Sequence, residues 1–142
     1  MENHGYQQYR EQQGRNILEM GQNELLLLLY DELVKQLTRC DLALKKENYE
    51  LLDDSADRTI AILRHLDDTL DMKYEVSHGL HRLYDYFTYE MNRVKLGRNQ
   101  AELDKIRPML VDLRDTFRAA ARNCAEGRGG DAAGKPGQTA ER

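Results

Sequence analysis

The chain has little of what breaks or staples structure. Its 142 residues include two prolines and two cysteines, and β-branched residues are few. So few prolines leave long helices uninterrupted, and the residues that dominate instead, Leu, Glu, Asp, Lys, Arg and Gln, favour the helix. Cys40 and Cys124 are far apart and form no CxxC pair. They read as two small apolar core residues in a reducing compartment, not as a redox motif. Long apolar runs are missing too. The run Leu25–Tyr30 has six residues, against about 20 for a membrane span, so no membrane span is expected. The first 16 residues, MENHGYQQYREQQGRN, are almost wholly polar, which argues against a secretory signal. Neither charge sign prevails strongly: the net charge is −4 with both signs interleaved, and nucleic-acid binders carry a basic footprint that this chain lacks.

What is present suits one helical domain. Charged residues make up 32% and the mean hydropathy is −0.79, so a large core is not expected, but 40% hydrophobic content supports one compact core. Residues 1–22 read as an N-terminal arm or cap, Gln-rich, with Tyr6 and Tyr9 set into it. Residues 126–142 are rich in Gly and small polar residues and read as a disordered tail. Four segments between them, over 23–125, carry helical periodicity. From Asn23 to Lys46 the seam is Leu26, Tyr30, Leu33, Leu37, Cys40 and Leu44. From Tyr49 to Leu70 it is Leu52, Ala56, Thr59, Leu63, Leu66 and Leu70. From Glu75 to Leu96 it is Val76, Leu80, Leu83, Phe87, Met91 and Val94. From Asn99 to Cys124 it is Leu103, Ile106, Leu110, Leu113, Phe117, Ala120 and Cys124. The links KEN, DMKY and LGRN are short, which forces antiparallel neighbours. The expected fold is all-α, an antiparallel up-down-up-down four-helix bundle of helices about 33 Å long. Pro108 should kink the last helix or split off its first piece. One internal echo, LYDELVKQL at 29–37 and LYDYFTYEM at 83–91, reads as shared helix grammar.

The stretch NELLLLLYDEL at 23–33 holds five consecutive leucines, more than one helical stripe can bury. At about 100° per residue, Leu28 and Leu42 point about 160° away from the first seam. Leu25, Leu27 and Val34 flank it. Tyr86 sits at the edge of the third seam, Tyr89 points away from it, and Leu51 and Ile62 flank the second. Such a surplus suggests apolar grooves on the outside of the bundle, suited to an amphipathic helix from a partner. The arm, with Tyr6, Tyr9, Ile17 and Leu18, is a second occupant to consider.

Chemical motifs are scarce. His78 and His81 stand at i, i+3, and EVSH gives one Glu-x-x-His. A di-iron bundle needs two such motifs and two further inward glutamates, so no metal and no cofactor is expected. The pairs Asp53–Asp54 and Asp67–Asp68 lie beside the seams and read as solvated face. No glycine-rich phosphate loop and no nucleophile in a recognisable setting occur, so an enzyme is not expected.

The short motifs LLLLLYDEL, LDM, LYDYF and LRDTF, in that order and spacing over about residues 6–125, resemble the family of the flagellar secretion chaperone FliS. That family reads LYDG, LDM, LYDYM and LRDAW at the corresponding places. The chain departs from it with Gly21-Gln22 for Ser-Pro at the helix start, Glu32 for glycine, Tyr89 and Glu90 for two arginines, and Phe117 for tryptophan. The resemblance implies a cytoplasmic chaperone with an N-terminal cap. It would bind the disordered C-terminal segment of flagellin in apolar grooves, prevent premature polymerisation, and deliver the subunit to the flagellar type III export apparatus. It also implies a site made of Tyr6, Tyr9, Leu25, Leu28 and Tyr30 from the arm and first helix, with Leu83, Tyr84 and Tyr86 from the third. A second flagellar regulator is a further expected partner, and the chain is expected to be a monomer or homodimer. Two alternatives stand beside this: a homo-oligomerising helical adaptor, and a diverged paralogue with another helical client.

Overall fold

The structure, a computed structural model of the chain, describes residues 22–132. Four helices follow one another: α1 (Gln22–Lys45), α2 (Tyr49–Asp68), α3 (Glu75–Gly97) and α4 (Gln100–Ala132). The chain divides into two compact units, Leu28–Asp112 and, separately, Met1–Leu27 with Leu113–Arg142.

The larger unit is the antiparallel four-helix bundle. Cross-links between helices show the order. Cys40 on α1 donates to Ser55 Oγ on α2 at 3.3 Å. Lys95 on α3 donates to Asp57 on α2 at 2.8 Å, and His81 on α3 meets Asp67 on α2 at 2.7 Å. Lys105 and Arg93 join α4 to α3 through Glu90 and Glu102. Gln100 and Arg107 on α4 reach Asp41 on α1 at 2.9 and 3.4 Å. In every pair the residue numbers run in opposite directions, so neighbours are antiparallel and α1 lies diagonally across from α3. Burial opposes the ionisation of Asp41, but hydrogen bonds from Lys45 and Gln100 and the charge of Arg107 outweigh it and hold the carboxyl below its usual range.

The seams form the core. Tyr30, Leu33, Leu37, Cys40, Leu52, Ala56, Leu63, Leu66, Phe87, Met91, Val94, Leu103, Ile106 and Leu110 are buried, joined by Ala43, Ile60 and Tyr84. Each such leucine or phenylalanine contributes about 1.5–3 kcal/mol, whereas the exposed ion pairs contribute about 0–1 kcal/mol each, so packing and not charge holds the bundle. Val76 departs from expectation. It lies on the seam direction but is exposed, because it sits in the first turn of α3 beside the exposed link residues Met72 and Tyr74.

Two of the links start the next helix with a side-chain cap. Asn48 accepts from the Leu51 N–H at 3.1 Å and Asn99 from the Glu102 N–H at 3.2 Å, which satisfies first-turn donors. Glu47 and Arg98 take the left-handed conformation (φ 55° and 50°) that stops α1 and α3. Arg98 compensates by laying its guanidinium over the Tyr49 ring, 3.6 Å from the centroid.

Pro108 does not split α4, which is unbroken from Gln100 to Ala132. The proline is exposed, so the Asp104 carbonyl that loses its helical N–H donor is on the side that water reaches. The helix also extends past 125, where the sequence suggested that the bundle ends. The rest of the expected tail, 133–142, lies outside the described residues. In the smaller unit, Leu113, Arg114, Phe117 and Arg118 are half-buried, and Arg114 donates to Asp115 at 3.1 Å.

Candidate functional site

The outer face of α1 carries the first apolar surplus. Leu28 is 66% exposed and Leu42 46%. They lie 14 positions apart, which is about 21 Å along a helix and within about 40° of one direction. Leu28 and Leu42 stand on the outward side because Tyr30, Leu33, Leu37 and Cys40 take the inward side. Leu25, in the other unit, is also exposed. No helix among the described residues is long and apolar enough to cross a membrane.

The outer face of α3 carries the second. Tyr86 is half-buried with its ring 5.6 Å from Phe87. Tyr89 and Leu96 are 61% and 79% exposed, and the Arg93 guanidinium lies 5.9 Å over the Tyr89 ring. A cleft of about 570 Å³ opens there, lined by Tyr89, Asn92, Arg93, Leu96, Gly97 and Asn99. The sequence reading did not include Tyr89 and Leu96 among the site residues. The signal was available as a second outward seam, Tyr86–Tyr89–Arg93–Leu96, with 3-4-3 spacing.

Two residues implied by the resemblance turn out to be interior. Tyr30 is 0% exposed and Tyr84 2%. Their hydroxyls meet at 2.6 Å across the bundle diagonal, so the tyrosines of the two LYD echoes bond each other. Burial pushes both hydroxyls above the usual tyrosine range, and both are neutral. They offer a partner no surface, and the docking role expected of them is corrected to a core role. Leu83 is half-buried beside Tyr84. Tyr6 and Tyr9 lie outside the described residues.

Charge clusters flank these faces. Glu90 is buried, yet Arg93 stands 3.3 Å and Lys105 3.6 Å from its carboxylate. Glu102 meets the same two cations at 3.4 and 2.8 Å. The hydrogen bond from Lys105, with the charges of Arg93 and Lys105, holds Glu102 below its usual pKa, and the Glu102 hydrogen bond raises Lys105. Among the described residues one group has metal-ligand character: Asp67, His81 and Asp85, with ligand atoms within 4.8 Å of one another. Both imidazole nitrogens already face carboxylates, Nδ1 to Asp67 at 2.7 Å and Nε2 to Asp85 at 3.6 Å. The Asp67 hydrogen bond raises the His81 pKa. A shared proton accounts for this cluster.

The arrangement presents apolar side chains on two opposite flanks. The described residues bring together no nucleophile, base and oxyanion donor of the kind that catalysis needs. The family model for the flagellar protein FliS matches residues 2–124. No curated protein matches the chain.

Proposed function

This chain belongs to the FliS family of flagellar proteins, and from that premise we propose that it is a cytoplasmic chaperone for flagellin export rather than an enzyme. It binds the C-terminal region of the flagellin monomer, keeps it from polymerising early, and hands it to the flagellar type III export apparatus. The observation that carries this reading is the exposure of Leu28 and Leu42 on α1 and of Tyr89 and Leu96 on α3. Helix faces diagonally opposed across a bundle present their apolar residues on opposite sides. A single rigid helix reaches one side, whereas a long unfolded segment reaches both and folds as it docks.

Coupled folding sets the energetics. Ordering the client costs about 2–5 kcal/mol of the gross interaction, and apolar burial at about 25 cal/mol per Å² must exceed that cost. Mixed surface charge predicts weak salt dependence. Titration of the full chain with a flagellin C-terminal peptide is the test, read by calorimetry and circular dichroism. The expected result is a negative heat-capacity change and a gain in helicity on mixing. Absence of both overturns the reading. Leu28→Asp should abolish binding without unfolding the bundle. The same apolar faces pairing copy to copy would instead appear as a dimer in light scattering that Leu28→Asp dissolves.

A further inference from the structure

The buried tyrosine pair stands between the two docking flanks. Tyr30 is two residues from Leu28 on α1, and Tyr84 is two residues from Tyr86 on α3. Two residues turn a helix by about 200°, so each tyrosine points inward while Leu28 points outward and Tyr86 lies half-buried on the flank. The contact is 2.6 Å and buried. It joins α1 and α3, one of the two pairs of helices that the up-down-up-down order makes diagonal. A hydroxyl–hydroxyl bond has a narrow range of length and angle, whereas apolar contacts tolerate sliding.

We propose that Tyr30 and Tyr84 are positioning residues: their bond fixes the axial register of α1 against α3 and so sets the spacing between the docking side chains on the two flanks. The proposal rests on the chaperone reading above. A client that folds along both flanks needs both in place at once. A bundle whose helices slide presents the competent spacing for a fraction of the time, and the apparent affinity falls by that fraction.

Hydrogen-bond accounting makes this separable from stability. Removing one hydroxyl takes the 2.6 Å bond from the other in the interior, which destabilises. Replacing both by apolar rings of the same shape is close to neutral. Tyr30→Phe and Tyr84→Phe should each lower the melting temperature, and the double variant should recover most of that loss. Affinity for the flagellin C-terminal peptide should behave differently. Each single variant should bind about 3- to 10-fold more weakly, the range set by the net worth of one hydrogen bond, and the double variant should stay as weak as the singles. Circular dichroism confirms that each variant is folded at the temperature of the titration. Leu33→Val lowers stability without touching the pair and should leave affinity unchanged.

If affinity follows melting temperature across the five proteins, including recovery in the double variant, the pair is merely structural and the proposal falls. If the Phe variants bind like the wild type, it falls as well. A wild-type chain that binds no peptide removes the chaperone reading first, and the positioning role with it. A Phe variant that does not fold is replaced by hydrogen exchange on the wild type. There the amides of 28–34 and 82–88 should open together, and independent opening overturns the proposal.

Discussion

Near its start, α3 is tied to α1 by two neutral hydroxyls 2.6 Å apart and closed off from water. Six residues further on it is tied to α4 by four charges, of which Glu90 is 4% exposed in its side chain while Arg93 and Lys105 are 43% and 49% exposed. The contrast follows from desolvation. Two hydroxyls satisfy each other and can be buried whole. A carboxylate can be buried only with cations beside it that keep part of their own hydration. The first tie therefore has a fixed geometry and the second an adaptable one. Adaptability suits the α3–α4 edge, where the cleft lined by Tyr89, Arg93 and Leu96 faces solvent.

Truncation should separate the two ties most clearly. Tyr84→Ala removes a sealed ring and its hydroxyl, and should cost about 3–5 kcal/mol in denaturant unfolding. Glu90→Ala should cost less, about 1–2 kcal/mol, since Arg93 and Lys105 turn to water once it is gone. A larger loss at Glu90 would mean that the ionic tie is the rigid one. The salt response should differ as well. Near 1 M salt the Debye length falls to about 3 Å, and the melting-temperature difference between Lys105→Met and the wild type should shrink, while that of Tyr84→Phe should not.

Smaller effects sharpen the picture at the two left-handed links. Glu47→Gly relieves a positive φ with no compensating contact and should stabilise by about 1 kcal/mol. Arg98→Gly relieves the same strain but loses the stack on Tyr49, about 0.5–1 kcal/mol, and should show almost no net change in thermal unfolding. The smallest effect belongs to His81, beside the hydroxyl tie. Its folded pKa is raised by Asp67. Its contribution is therefore complete below the ordinary histidine value of about 6.5 and lost as pH rises through the higher folded value. His81→Gln should remove a slight decline in stability as pH rises above about 6.5. An unchanged pH profile in that variant would sink the assignment.

Much of this was legible in the residues. Leu33, Leu37, Leu63, Phe87 and Ile106 follow 3-4 spacing, which places a core wherever a helix forms. Leu28, Leu42 and Tyr89 were readable as outward for the same geometric reason. Tyr30 and Tyr84 were not. A tyrosine on a seam can present its hydroxyl to a partner, to water or to the interior, and the choice depends on what the facing helix offers at that level. Pro108 does not split α4, one of the two outcomes expected of it, because the cost of a helical proline depends on whether its released carbonyl faces water. Val76 was misjudged because a seam continues in sequence past the point where neighbours cover it.

Periodicity and short links by themselves determined four antiparallel helices, their buried stripes and an outward surplus of leucine, because each is a property of one helix and its nearest chain neighbours. Only the tertiary structure decided that the two LYD tyrosines meet across the diagonal, that Glu90 is buried among cations, and that the exposed apolar residues of α1 and α3 occupy opposite flanks. Those outcomes depend on which residues of distant segments reach the same level, and the axial register of packed helices sets that level.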